Sequence, residues 1–267
     1  MPRQSNQWLI PVLLALGVAG ALWYYRMQVS VPDVAAVPVP VETAPEPLNA
    51  PVPLHPMESP PPDTADSPVL MPLPALGDSD EYFKLELAMI LGDSVDEKLA
   101  QSGLIEKLVA TIDNLPRSQV AGRIRPLAPV DGTFVVDGQD ASGEYAISSS
   151  NSERYDSLIA LLESADLNVV MDLYRRFYPL FQSAYVQQGY PDGYFNDRLV
   201  EVIDHLLETP DISEPIALVR PHVLYEFEDA ELEALSSGQK IILRMGDEHA
   251  AVVKDRLREM RELLTAI

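Results

Sequence analysis

Hydrophobic and polar positions divide the chain into three stretches of different periodicity. In the first, Trp8–Tyr25, the apolar run is unbroken and uncharged, with Arg3 before it and Arg26 after it. As a helix, eighteen such residues rise about 27 Å, which is close to the thickness of a bilayer's hydrocarbon core. Trp8 stands at one end and Trp23, Tyr24 and Tyr25 at the other, where amphipathic rings favour the headgroup level. The pattern predicts a single transmembrane anchor within residues 1–26. Ala19-Gly20-Ala21 has the form of a signal-cleavage site, but the apolar run continues through Leu22 and Trp23, which favours an uncut anchor.

The second stretch, 27–77, has no periodicity. Fourteen of its residues are proline, and each removes a backbone donor and restricts the residue before it to extended conformations. Such a segment predicts a disordered, semi-rigid spacer that extends about 3.1 Å per residue. It contains PxxP spacings such as Pro53–Pro56, which periodic proline produces by accident more often than by design.

The third stretch, 78–267, reads in helical periods. Asp78-Ser79-Asp80-Glu81 opens a helix with the apolar face Tyr82, Phe83, Leu85, Leu87, Met89, Ile90 and Leu91, ended by Gly92. Ser94–Gln101 and Leu104–Leu115 follow as helices, closed by Pro116. Thr133–Val136 and Tyr145–Ile147 are short runs of β-formers around turn residues, and they predict one small hairpin. Ser152–Ala165 and Asn168–Gln188 are helical again. In the latter Tyr174, Tyr178, Phe181 and Tyr185 recur at three- and four-residue steps, a stripe expected in the core, and Pro179 is expected to kink or split the helix. Phe195–Glu208 is a helix. Ile212–Val219 reads as a proline-punctuated connection, and Val223–Phe227 as a short strand or extended segment. Asp229–Leu235, Gln239–Met245 and Asp247–Ile267 are further helices. The fold expected is mainly α: a multi-helix globular domain over 78–267 with one small β-hairpin, preceded by a single transmembrane helix and a disordered Pro-rich linker.

Charge narrows the partners. The 267 residues carry a formal net charge of −22. Most of it belongs to Asp78–Ile267, with 35 acidic against 17 basic residues. A surface this acidic repels phosphate backbones, so nucleic acid is not an expected partner. There is no cysteine, which excludes a disulfide framework and a lipid-modified amino terminus. The four histidines, His55, His205, His222 and His249, show no metal-ligand spacing, and the acids of Asp137–Glu144 miss the spacing of a calcium loop. No metal or cofactor is expected.

Two candidate chemistries remain. Ser237-Gly238-Gln239-Lys240 fits S-x-x-K, which places a serine one helical turn from an amine that can activate it for acylation. Ser149-Ser150-Asn151 supplies a loose S-x-N. No Lys-Thr-Gly or Lys-Ser-Gly follows, and the plainer reading is that Ser236 or Ser237 caps the Gln239–Met245 helix. Arg117, Arg123 and Arg125 cluster in a chain poor in bases, as internal ion-pair partners or as an anion or partner contact.

Three strings carry a resemblance. Ile112-Asp-Asn-Leu-Pro-Arg117, Asn196 through Asp204-His205-Leu-Leu207, and Leu235-Ser-Ser-Gly-Gln-Lys240 through Leu243-Arg-Met-Gly246 are similar to the bacterial domain-of-unknown-function family number 3014. The resemblance covers most of 78–267 and the anchor-and-linker layout. It implies a membrane-anchored protein of Gram-negative bacteria with no established activity, so it transfers no catalytic residue. The expectation is a single-pass inner-membrane protein held through Trp8–Tyr25. Its C-terminal domain is expected in the periplasm, acting on an envelope protein partner as an interaction or scaffold module. The alternatives are a cell-wall-acting serine enzyme using Ser237 and Lys240, and a small-anion sensor at the arginines.

Overall fold

A computed structural model describes residues 52–57, 72–139, 144–213 and 215–266. The anchor expected at Trp8–Tyr25 and most of the expected spacer lie outside the described residues. Among the described residues, no helix is long and apolar enough to cross a membrane.

Eight α-helices are present among these residues: α1 (Asp80–Leu91), α2 (Leu104–Asn114), α3 (Asp156–Ser164), α4 (Leu167–Gln187), α5 (Phe195–Leu207), α6 (Ala230–Glu233), α7 (Ser237–Arg244) and α8 (Asp247–Thr265). The main core forms where α1, α2, α4 and the start of α5 meet. Phe83, Leu104, Ile105, Val109, Phe177, Phe181 and Phe195 are buried together there. Asp80, in the first turn of α1, also serves α2. Its carboxylate accepts the backbone N–H of Gly103 and of Leu104, both at 2.7 Å, and so satisfies donors that begin α2 without a partner in the helix. Gly103 turns the chain there with φ 64°.

The aromatic stripe of α4 faces this core as expected, with Phe177 fully buried and a chain of ring contacts running from Phe83 through Phe181, Phe195 and Tyr185 to Tyr190. Pro179 does not split the helix: α4 is continuous from Leu167 to Gln187. The proline forfeits one hydrogen bond, but Phe177 on one side of it and Leu180, Phe181, Ala184 and Tyr185 on the other are all buried, and packing holds the helix through it.

The single hairpin expected is part of a larger sheet. Strands β1 (Val136–Gln139), β2 (Glu144–Ile147), β3 (Ala217–Val219) and β4 (Glu226–Phe227) form a four-stranded antiparallel sheet in the order β1-β2-β3-β4. Tyr145 pairs with Leu218, and Leu218 with Phe227. β3 comes from the segment read as a mere connection. It spans three residues between Pro215 and Pro221, too few for alternation to show, and it is held by the burial of Ile216 and Leu218. β1 starts at Val136, not Thr133, and runs into residues read as a turn. Gly138 makes this possible: at φ 118°, a Cβ there would lie 2.1 Å from the Glu144 carbonyl oxygen. One face of the sheet covers a second core of Ile147, Ile216, Leu218, Phe227, Leu232 and Leu243, so it packs on α6 and α7.

Other boundaries shift. The helix expected over Ser94–Gln101 is a 3-10 turn, Asp93–Lys98, after which Leu99 bridges to Leu127. The helix expected from Ser152 begins as a 3-10 turn, Ser149–Tyr155, before α3. The packed chain also starts earlier than Asp78. Leu73 and Leu76 pack against the main core, and Val52–Met57 lies on the domain. These pieces of the 27–77 stretch are fixed because they bring apolar side chains or backbone donors that the domain can satisfy.

Candidate functional site

The string Ile112–Arg117 closes α2 and carries its most connected side chain. Asp113 is 4% exposed and lies in the last turn of the helix, where the backbone dipole disfavours an anion. Four donors offset this. Arg198 Nε donates to its Oδ1 at 2.9 Å, and Arg198 Nη2 to its carbonyl at 2.9 Å. Arg117 Nη2 reaches Oδ2 at 3.3 Å and the Tyr190 hydroxyl donates to Oδ2 at 3.1 Å. Burial pushes the Arg198 guanidinium down, but its bonds to Glu201 and Asp113 outweigh this and hold it above its ordinary value. One carboxylate thus ties α2, α5 and the turn after α4.

The same string then meets the third. Ser237 N–H donates to the Arg117 carbonyl at 2.8 Å and Gly238 N–H to the Leu115 carbonyl at 2.9 Å. Gly238 must be bare to allow this, since a Cβ would lie 2.5 Å from Leu206 Cδ2 and 3.2 Å from the Leu115 carbonyl. Ser236 caps α7 in a reciprocal box with Gln239. His205 Nε2 lies 2.9 Å from Ser236 Oγ, and Gln239 Nε2 donates to the His205 carbonyl at 3.1 Å. The three strings therefore converge on one interlock joining the helical core to the sheet-bearing half.

That geometry places the S-x-x-K residues. Ser237 Oγ donates to the Leu115 carbonyl at 3.3 Å. Lys240 Nζ is bound to Glu233. The serine and the amine are each committed elsewhere and form no acylating pair. Asn151 of the S-x-N is 1% exposed and pins β1's approach, accepting from Val135 N–H at 2.9 Å and donating to the Val135 carbonyl at 2.6 Å. Among the described residues, no group of three His, Asp or Glu side chains is set to hold a metal ion.

The arginine cluster is only partly assembled. Arg117 and Arg123 line one open cleft of about 520 Å³, together with Lys107, Asn114, Gln119, Gln188 and Tyr190. Glu106 and Asp113 line it too. Arg123 sits on the 3-10 turn Gly122–Ile124, which Thr111 fixes by donating to the Ile124 carbonyl at 2.7 Å. Arg125 is exposed and lies outside the cleft lining. Among the described residues, Arg123 has no ion-pair partner, whereas Arg117 is shared between Asp113 and the cleft.

Sequence reasoning missed Asp113, Asn196 and Asp197. The available signal for Asp113 was an acid at the wrong end of a helix, directly before a turn. Asn196 and Asp197 open α5, where such residues pass as ordinary helix-start chemistry.

A multi-helix bundle fused to a small antiparallel sheet through a polar interlock is the class of domain these features define. The chain belongs to the family described as a protein of unknown function, DUF3014, whose model matches residues 104–261 and so takes in all three strings. No curated protein and no solved structure matches the chain.

Asp113→Ala should destabilise the domain by about 1.5–3 kcal/mol in urea unfolding, because it removes the carboxylate to which Arg198, Arg117 and Tyr190 donate while Arg198 keeps Glu201. Arg117→Ala, removing a side chain that is 57% exposed, should cost under about 1 kcal/mol. Glu233 supplies a pH effect. Burial pushes its carboxyl up, but the Lys240 ammonium, the Phe227 N–H and the Arg244 charge outweigh this and lower it below the ordinary value. A depressed carboxylate stabilises the fold above its unfolded pKa, and that contribution is lost as pH falls through the folded one. Below the ordinary glutamate range, the unfolding midpoint of the wild-type protein should therefore fall more steeply with pH than that of Glu233→Gln.

Proposed function

We propose that this chain is a non-enzymatic interaction module, anchored in a bacterial inner membrane through Trp8–Tyr25 and displayed in the periplasm on its proline-rich stretch, where it engages an envelope protein. The observation that carries the reading is the tip joining β3 to β4. Val223 and Leu224 stand there side by side, 80% and 76% exposed. Their base is braced. Arg220 lies 5.3 Å over the Tyr225 ring, and Tyr225 meets Tyr145 edge-on at 5.3 Å. Two large aliphatic side chains held out of a braced, otherwise acidic surface fit a contact with another protein better than a solvated loop. The binding of Ser237 and Lys240 to other groups removes the support that their spacing lent to a serine enzyme.

A second reading, a small-anion sensor, is favoured by one observation: Arg123 is unpaired among the described residues and shares a cleft with Arg117.

A photo-crosslinking residue at position 224, introduced into the full chain in cells, should give a discrete adduct with an envelope protein. The same residue at Asp172, an exposed helical position, should not. Equal labelling from both positions counts against the reading, and Val223→Ser with Leu224→Ser should abolish the adduct while changing stability by no more than about 0.5 kcal/mol. For the anion reading, phosphate at a hundredfold excess over its dissociation constant should stabilise the domain by about 2.7 kcal/mol, and Arg123→Ala should remove the effect. No phosphate-dependent stabilisation sinks it.

A further inference from the structure

Val52–Met57 lies along the start of α5 and bends at Leu54 and His55. Its side chains alternate: Pro53, His55 and Met57 are partly covered, whereas Val52 and Leu54 are 80% and 79% exposed. The domain holds it by its main chain. Asp197, in the first turn of α5, accepts the Leu54 N–H on Oδ2 at 3.0 Å and the His55 N–H on Oδ1 at 2.7 Å. Asn196, fully buried, donates its side-chain amide to the His55 carbonyl at 2.9 Å and accepts from the Tyr174 hydroxyl at 3.3 Å. Met57 packs against the apolar seam of Met171, Ile203 and Leu264.

Three physical points make this a built site. Between Pro53 and Pro56 the only backbone donors are Leu54 and His55, and both go to one carboxylate. The two prolines restrict Val52 and His55 to extended conformations, which lowers the entropy lost on docking. The buried Asn196 amide needs an acceptor, since an unsatisfied one is costly to bury, and the His55 carbonyl provides it.

We propose that Asn196, Asp197 and the adjoining seam form a peptide site that reads the main chain of a proline-flanked bend, and that its resident ligand is the chain's own Val52–Met57. The proline-rich stretch is latched to the domain at α5 through Val52–Met57, upstream of Asp78. The latch shortens the spacer that separates the domain from residues 1–26. It is independent of the β3–β4 tip and of whether Trp8–Tyr25 crosses a membrane.

The test is amide hydrogen exchange on the full-length chain in detergent micelles. The Leu54 and His55 amides should exchange at least tenfold more slowly than unstructured amides. Asp197→Ala should return both to the unstructured rate while the amides of α4 keep their protection. His55→Pro changes only the segment, putting a ring carbon where the proton met Asp197, and should release the Leu54 amide even if Asp197→Ala proves poorly folded. Unprotected Leu54 and His55 amides in the wild-type chain, or protection of Leu54 that survives His55→Pro, would overturn the proposal.

Discussion

The buried carboxylate of Asp113 sets the terms for the architecture around it. It ends α2 where the helix dipole repels an anion, and it is nearly removed from water. A charge in that position is tolerable only if donors surround it, and the donors come from three places: Arg198 on α5, Arg117 beyond α2, and Tyr190 in the turn that follows α4. Each of these positions is fixed by satisfying the same group. The turn between α4 and α5 is set by Tyr190 together with the stacked ring of Tyr185, 4.5 Å away. The start of α5 is then held by Gln182, which accepts the Phe195 N–H at 2.8 Å.

From that point the order propagates by backbone contacts. Once α2 ends where Asp113 dictates, the Leu115 and Arg117 carbonyls face the start of α7 and receive Gly238 and Ser237. α7 carries Leu243 into the sheet core and Ile242 against α5, so the interlock joins two apolar clusters that otherwise fold from distant parts of the sequence. This accounts for why the three family strings contain few exposed functional groups. Many of their polar atoms are bonded to one another, and a Cβ at position 238 would force Leu206 and the Leu115 backbone to shift.

How much of this was legible in the sequence depends on what kind of signal each feature leaves. α4 and α5 announce themselves through long apolar periods, and the stripe from Tyr174 to Tyr185 was readable as core. β3 left no signal, because three residues cannot show alternation and their burial is decided by partners far along the chain. Of the two outcomes expected at Pro179, a split does not occur, because buried side chains flank it on both sides and hold the helix together. The spacing of Ser237 and Lys240 suggested a reactive pair, whereas in the fold the serine bonds the Leu115 carbonyl and the lysine pairs with Glu233. The docking of Val52–Met57 was invisible for a further reason: main-chain recognition imposes no side-chain pattern, and Pro53–Pro56 differs little from the prolines around it.

The scarcity of basic residues completes the picture. Arg176 pairs with Glu86 at 2.7 Å with both side chains mostly covered, Arg198 pairs with Asp113, Arg261 engages Asp204 with two nitrogens, and the buried Lys254 bonds the Thr209 carbonyl and Asp211. These four cations join one element to another, and Arg176 and Arg198 do so with side chains mostly removed from water, where a charge-assisted bond is less screened. The unpaired acids remain outside and give the domain its negative field. Backbone amides at Asp197 and aliphatic contact at Val223 and Leu224 are recognition of uncharged groups, and they stand beside the Arg117–Arg123 cleft as a different kind of surface.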